Sequence, residues 1–277
     1  MGEAGKKIRM SRFFHERPRF GCVVPVDHGL TLGPLPGIES VARIAAWLRH
    51  PVVTGTIAHK GIIERLALRQ QMSKLGVMVQ LTGMCAEAAQ PDLKQRLTSL
   101  EAAIALGADA VSVQTNFDGS NDSHNLRLIG AVVDDARKFG LPVLAMLYDT
   151  HPAGRTSARQ AHIMRVAVEL GVDAIKIGPP AQLADLPELL DGISADVDVF
   201  VAGGGAVLNE KDMLELAATA LRSGAAGLCV GRNVFQRAAP YLLLDRLQEL
   251  LANAAAEQSC ASRPLQLERE PASLSAS

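Results

Sequence analysis

The segment Val172-Asp173-Ala174-Ile175-Lys176-Ile177-Gly178 reads as a short apolar β-strand with one lysine inside it. A buried ammonium is costly unless it is paired or neutralised. Lys176 is therefore either a strand-end lysine that reaches water or a reactive amine. A desolvated lysine with a lowered pKa is a good nucleophile toward carbonyl carbons and forms Schiff bases. Such chemistry needs a partner that moves protons on and off the carbinolamine and the adjacent carbon. Tyr148 ends the preceding strand, and its phenol can donate or accept that proton. Asp27 ends the first strand in Asp27-His28-Gly29 and can face an iminium or act as a second proton carrier. Their structural alternatives are a tyrosine that only hydrogen bonds at the core edge and an aspartate that caps a turn.

Two glycine turns offer a site for an anion: Ala202-Gly203-Gly204-Gly205 and Val230-Gly231-Arg232-Asn233. Glycines let backbone N–H groups approach phosphate, and a following helix N-terminus adds a favourable dipole. Arg232 adds charge and a donor fork. Either turn alone is a weak signal, because tight turns also use glycine. His28, His59 and Lys60 are further candidates for substrate or phosphate contact, each with an ordinary structural explanation beside it.

These residues need a scaffold that brings them together. Short apolar runs begin near Cys22, Val52, Val77, Asp109, Val143, Val172, Val197 and Ala226, with helical spacing between them. Leu106 to Ala110 and Leu170 to Ala174 share a Leu-Gly-Ala/Val-Asp-Ala pattern, and Ser223 to Gly227 is a variant. Each reads as a helix stop, a tight turn and a strand start. Eight strands alternating with helices are the pattern of an α/β protein of the (β/α)8 TIM-barrel class. A doubly wound sheet would place its phosphate-binding glycines after the first strand; here they follow the seventh and eighth. In a barrel the strand C-terminal ends form one rim. Asp27 and His28, His59 and Lys60, Thr82, Gln114 and Asn116, Tyr148 and Asp149, and Lys176 all fall there.

The expected organisation is a leader over residues 1–20 with a short helix near Lys7 to Phe14. A catalytic barrel follows over residues 21–254, with a helix opening at Pro91-Asp92 and running to Leu106, and then a disordered tail over residues 255–277. The 277-residue chain has a net charge of -1 and 4% aromatic residues, which gives no case for nucleic acid or an anionic membrane surface. Cys22, Cys85, Cys229 and Cys260 form no CxxC pair, so neither a zinc site nor a disulfide framework is expected. The basic, polar N-terminus lacks the apolar core of a signal peptide, and no stretch reaches membrane-spanning length. A cytoplasmic location is expected.

Val26-Asp27-His28-Gly29, His59-Lys60-Gly61, the Tyr148 strand, Asp173-Ala174-Ile175-Lys176, Val201-Ala202-Gly203-Gly204 and Val230-Gly231-Arg232-Asn233-Val234-Phe235-Gln236 together resemble the archaeal-type class I fructose-bisphosphate aldolase family. That family includes aminodideoxyheptulosonate synthases and a thiolase-type branch from autoinducer-2 breakdown. The resemblance covers residues 5 to 240. It implies a metal-independent, cofactor-free Schiff-base mechanism on a phosphorylated sugar or ketose. Lys176 would be the Schiff-base lysine, Tyr148 the acid/base tyrosine and Asp27 the acidic neighbour. Gly203, Gly204, Gly231 and Arg232 would be the phosphate cradle. It also implies a homo-oligomer, a pentamer or a decamer of stacked rings. Two loops depart from the family: Asp149-Thr150-His151 stands where relatives carry Pro-Arg-Gly, and Ile177-Gly178-Pro179-Pro180 replaces a loop bearing Thr or Ser. Retained reactive residues beside altered loops imply a shared first half-reaction and a different second substrate. Thiolase-type acyl transfer and a non-catalytic phosphosugar-binding barrel remain as the other readings.

Overall fold

The computed structural model describes residues 2–72, 74–154 and 156–261. Its strands are β1 (Gly21–Pro25), β2 (Gly55–Ala58), β3 (Gly76–Gln80), β4 (Thr82–Gly83), β5 (Gln95–Arg96), β6 (Ala110–Phe117), β7 (Val143–Asp149), β8 (Ala174–Ile177), β9 (Asp198–Ala202) and β10 (Gly227–Cys229). Its helices are α1 (Gly2–Ser11), α2 (His28–Leu32), α3 (Val41–Leu48), α4 (Lys60–Leu68), α5 (Leu100–Ala105), α6 (Asp122–Arg137), α7 (Ser157–Glu169), α8 (Leu186–Leu190), α9 (Glu210–Arg222), α10 (Arg232–Phe235) and α11 (Pro240–Ala261). Eight strands close in the order β1-β10-β9-β8-β7-β6-β3-β2, every pairing parallel. This is the expected (β/α)8 barrel.

Alternation along the strands sorts side chains into two layers. Val23, Ile57, Met78, Ala110, Leu144, Met146, Ala174, Phe200 and Cys229 point to the barrel axis and form an inner cluster. The intervening residues, such as Val24, Val79, Val111 and Ile175, pack outward with the helices. Lys176 follows Ala174 by two residues and so belongs to the inner set. Local chemistry starts the helices: Ser40, Ser99, Thr156 and Asn209 each accept a backbone N–H of the first helical turn.

The repeated Gly-x-Asp turns do more than stop helices. Gly107, Gly171 and Gly224 all take positive φ. Asp109 Oδ2 accepts the Val77 N–H and Asp173 Oδ2 the Val143 N–H, both at 2.9 Å, so each carboxylate ties its strand start to the neighbouring strand. Ala226 replaces the carboxylate in the third copy. The N-terminal segment uses these acids as anchors. Lys6 Nζ lies 2.8 Å from Asp173, Arg12 pairs with Asp109, and Arg19 forks onto Asp198 at 2.8 and 3.0 Å.

Phe13, fully buried, closes the barrel floor, and a Cβ on Gly55 or Gly76 would lie 2.6 Å from its ring. The helix expected near Lys7 to Phe14 is α1, which ends at Ser11 and leaves Phe13 free to turn into the barrel.

Two expectations are corrected. The helix expected from Pro91 to Leu106 is only α5, because Thr82–Gly83 pairs antiparallel with Gln95–Arg96 and holds the intervening chain as a loop. The final helix α11 continues to Ala261, through the first seven residues expected to be tail. Residues 262–277, the rest of that expectation, lie outside the described residues. Among the described residues no helix is long and apolar enough to cross a membrane.

Candidate active site

A cavity of about 340 Å³ opens at the C-terminal rim over β7, β8, β9 and β10. Lys176, Tyr148, His28, Gly203, Gly204, Gly231 and Arg232 line it, seven of the ten residues singled out from the sequence. Lys176 is 5% exposed. Its Nζ lies 3.9 Å from Met146 Sδ and 5.9 Å from the centroid of the Tyr148 ring. Burial pushes the Lys176 ammonium toward losing its proton, but Cys229, Tyr148 and Asp27 push the other way and prevail. Its pKa therefore stands above the ordinary lysine value, not below it as the reactive-amine alternative would have it. The amine rests as an ammonium and must give up a proton before it can attack a carbonyl.

Cys229 shares the cavity wall with Lys176. Burial pushes its thiol up to about 11, against the pull of Lys176. His28 is pushed down to about 4 by burial, with Lys176 and Arg232 acting in the same direction and Asp27 against them. A neutral imidazole thus shares the cavity wall with the lysine and the arginine, its ring edge-on to Phe235 at 5.3 Å.

The glycine turns are joined by a side chain that sequence reasoning passed over. Asn233 is buried and its Nδ2 donates to the carbonyls of Gly203 at 3.1 Å and Ala206 at 3.4 Å. Its Oδ1 accepts the Leu208 N–H at 2.7 Å. Arg232 Nη2 donates to the Gly204 carbonyl at 3.3 Å. A Cβ on Gly203 would collide with Asn233 Nδ2, and one on Gly231 would meet His28 at 2.7 Å. Bare backbone is therefore required where the two turns face the cavity, as an anion cradle needs. The helix after the first turn does not contribute its end, since α9 begins only at Glu210.

Three of the residues singled out lie elsewhere. Asp27 and His59 line a separate cavity of about 240 Å³ on the other side of residues 25–29, although the Asp27 carboxylate still acts on Lys176. Lys60 is exposed at the start of α4 and donates to the Leu97 carbonyl at 3.2 Å, outside both cavities. A strand-end position is compatible with either direction, and here the turn into α4 carries the ammonium outward. Thr82, Gln114 and Asn116 are occupied with one another: Gln114 N–H donates to Thr82 Oγ1 at 2.8 Å, and Gln114 Nε2 to Asn116 Oδ1 at 3.1 Å.

Cys229, Asn233 and Gln160 are the cavity residues missed. Cys229 could have been found by counting back two positions from Gly231 along an inward-facing strand. Gln160, on α7, donates to the Gly178 carbonyl at 2.7 Å and has no sequence signal. Asp149, named above as a rim residue and as part of an altered loop, is a wall residue whose nearly covered carboxylate pairs with Arg159 Nε at 2.8 Å.

Comparison with known proteins agrees with this architecture. The 2-amino-4,5-dihydroxy-6-oxo-7-(phosphonooxy)heptanoate synthase of Streptomyces griseus is 32% identical over 255 residues, covering 90% of this chain and 91% of that protein. The 2-amino-3,7-dideoxy-D-threo-hept-6-ulosonate synthase 1 of Archaeoglobus fulgidus is 31% identical over 247 residues, covering 89% and 91%. A solved Schiff base forming fructose-1,6-bisphosphate aldolase superposes with a TM-score of 0.79 at 24% identity, covering 89% of this chain and 99% of that one. An archaeal fructose-1,6-bisphosphate aldolase, solved with its catalytic Lys covalently bound to the carbinolamine intermediate, superposes at 0.78 with the same identity and coverage. At that identity the structural likeness is one of fold. The model of the DeoC/LacD family aldolase matches residues 22–237, from the first barrel strand to just beyond the helix that follows the last. The chain belongs to the DeoC/LacD family of aldolases.

Proposed function

We propose that this aldolase forms a Schiff base between Lys176 and a three-carbon phosphorylated ketone, and makes or breaks a carbon–carbon bond to a short aldehyde. The observation that carries the reading is one cavity holding both a buried amine and, on the next two strands, a glycine-rich cradle with Arg232. An amine alone would serve many carbonyl reactions. An amine beside an anion cradle selects a carbonyl compound with a phosphate at its far end.

In this reading the phosphate docks on the backbone of Gly203, Gly204 and Gly231 and on Arg232, with His28 on the same cavity wall. Lys176, once neutral, adds to the ketone carbon and gives a carbinolamine. Tyr148 protonates the leaving hydroxyl, and water departs to leave the iminium. The iminium withdraws electrons from the adjacent carbon, which then gives a proton to the Tyr148 phenolate to become an enamine. That carbon adds to the aldehyde, or is released from it in reverse, and water frees Lys176. Asp27 supplies the nearby negative charge that favours a cationic iminium.

The relatives sharpen the substrate. The product named for the Streptomyces griseus enzyme carries hydroxyls at C4 and C5, a ketone at C6 and phosphate at C7. Its aldol bond is C4–C5. Disconnection there yields a phosphorylated three-carbon ketone and a four-carbon aldehyde bearing an amino acid end. A donor of this type is the substrate we assign to the cradle. The altered walls at Asp149 and Gly178 are the places where the acceptor of this chain would differ. We also take residues 21–254 as the catalytic unit, acting in the cytoplasm as a homo-oligomer.

Borohydride trapping with dihydroxyacetone phosphate tests the reading. A mass increment on Lys176, absent in Lys176→Ala, is the expected result. An unmodified wild-type protein with unchanged turnover in Lys176→Ala would sink it. Turnover that depends on coenzyme A would favour acyl transfer instead. Ligand-dependent thermal stabilisation that survives Lys176→Ala, with no turnover of any phosphosugar, would favour a binding module.

A further inference from the structure

The cavity that holds Lys176 is not confined to the barrel axis. Leu147 and Ile177 line it, and both belong to the outward-packing layer, together with Ile163 of α7. They are register partners on β7 and β8, one position beyond the Met146–Lys176 pair. The cavity therefore passes over the ends of these strands into a crevice between the sheet and α7. In strand order the glycine cradle follows β9 and β10, so Lys176 on β8 stands between the cradle and this crevice. Gln160 of α7 donates to the Gly178 carbonyl at 2.7 Å, which ties the chain after β8 to the helix and fixes the crevice wall.

Asp149 brings a charge to this crevice. It follows Leu147 by two residues and so turns to the same outer face, toward α7. Its side chain is 4% exposed. Both of its donors use one oxygen: Arg159 Nε reaches Oδ1 at 2.8 Å, and the His151 N–H reaches the same atom at 3.1 Å. Oδ2 is buried and accepts no hydrogen bond among the described residues. A guanidinium forked onto the carboxylate would satisfy both oxygens, but Arg159 directs Nη2 to the Phe117 carbonyl at 3.4 Å. A buried carboxylate oxygen without a donor is costly, and this one belongs to a residue of the reaction cavity wall. Among the described residues, the lysine and arginine that line the cavity are Lys176 and Arg232, at the amine and the cradle rather than in the crevice.

Resting on the Schiff-base reading above, we propose that the crevice is the acceptor subsite and that Asp149 determines its specificity, taking an aldehyde that carries an ammonium group at the end of a short apolar chain. The phosphate of the donor occupies the cradle on one side of Lys176, which leaves the crevice on the other side for the aldehyde. Leu147, Ile163 and Ile177 give the methylene groups an apolar surface. The ammonium donates to Asp149 Oδ2, a charge-assisted hydrogen bond in a place that solvent screens little. An acceptor that carries phosphate or carboxylate at that end meets the same carboxylate and is repelled. The bond-making step is unchanged. The enamine carbon adds to the aldehyde carbon, the aldehyde oxygen takes a proton to become a hydroxyl, and water releases Lys176 from the iminium. The ammonium keeps its protons and forms no covalent bond.

The test is aldol addition to dihydroxyacetone phosphate at neutral pH with 3-aminopropanal, with its uncharged isostere butanal and with glyceraldehyde 3-phosphate, in wild type and Asp149→Asn. Wild type should show a KM for 3-aminopropanal about 10- to 100-fold below that for butanal, the range for one hydrogen bond to a charged group. It should use glyceraldehyde 3-phosphate least well of the three. Asp149→Asn keeps the shape and removes the charge, so the advantage of 3-aminopropanal should disappear, and in KM rather than in kcat. A merely structural role for Asp149 would change all three aldehydes alike. Equal KM values for 3-aminopropanal and butanal in wild type would overturn the assignment. A folded Asp149→Asn that keeps the preference would do the same, as would a wild type that favours glyceraldehyde 3-phosphate. If Asp149→Asn does not fold, the wild-type comparison of KM decides alone. Borohydride quench with dihydroxyacetone phosphate alone separates the two levels. No adduct in wild type removes the Schiff-base reading itself, whereas an adduct without preference for 3-aminopropanal removes only the acceptor assignment.

Discussion

Gly203→Ala isolates the anion cradle. Gly203 does not have a positive φ, so alanine imposes no backbone strain there. Its Cβ would collide with Asn233 Nδ2, and would stand 3.1 Å from Asn233 Cγ and 3.4 Å from Val230 Cγ1. Asn233 must therefore move, and its amide carries three hydrogen bonds, to Gly203, Ala206 and Leu208. At about 1 kcal/mol for each buried neutral hydrogen bond, the expected loss of stability is about 3 kcal/mol. Because those bonds hold the two glycine turns in register, the cradle loosens as well. A binding loss of about 1.4 to 3 kcal/mol corresponds to roughly 10- to 100-fold weaker affinity for dihydroxyacetone phosphate. Urea denaturation reads the first quantity and calorimetric titration the second. The diagnostic is a double-mutant cycle with Asn233→Ala, which loses the same three bonds without a collision. Gly203→Ala/Asn233→Ala should cost about as much as either single change, because the second substitution has nothing left to break. Additive costs, or wild-type affinity in Gly203→Ala, would refute the account of Asn233 as the clamp of the cradle.

Two further outcomes follow from the same structure. Phe13→Ala should lower stability by about 3 to 5 kcal/mol, the usual range for emptying a core phenylalanine site, and chemical denaturation measures it; a loss below about 1 kcal/mol would mean that the barrel floor collapses onto the space. For His28, the folded pKa of about 4 lies below the ordinary histidine value of 6.5. Its contribution is then fully present above pH 6.5 and is lost as the pH falls toward 4, because the unfolded chain takes up the proton first. The linkage amounts to about 3 kcal/mol. His28→Gln should flatten the fall in stability between those limits, and an unchanged slope would place the imidazolium in solvent.

Much of this protein is legible in the sequence because its signals are local. Gly-x-Asp turns, apolar runs and capping residues act within a few positions, so alternating strands and helices and hence the barrel class could be read from them. Strand ends in a barrel share one rim, which is why Lys176, Tyr148, Arg232 and the glycines could be placed in one site before any coordinates. The errors arise where direction or long-range pairing decides. The antiparallel pairing of Thr82–Gly83 with Gln95–Arg96 overrides the helical spacing after Pro91. Asp27 and His28 are consecutive, yet they face opposite sides of one wall. Lys60 leaves the rim because its backbone has already turned into a helix.

The sequence by itself determined which chemical groups this protein owns and the order in which the barrel presents them. The charge state of those groups belongs to the tertiary structure. Read alone, Lys176 in an apolar strand left two alternatives, an ammonium that reaches water or a desolvated amine of depressed pKa, because desolvation is the one effect a strand can report. Folding brings Cys229, Tyr148 and Asp27 around it from other strands, and their combined effect outweighs burial. Charge interactions depend on distances through space, and three-dimensional closure of the barrel sets those distances.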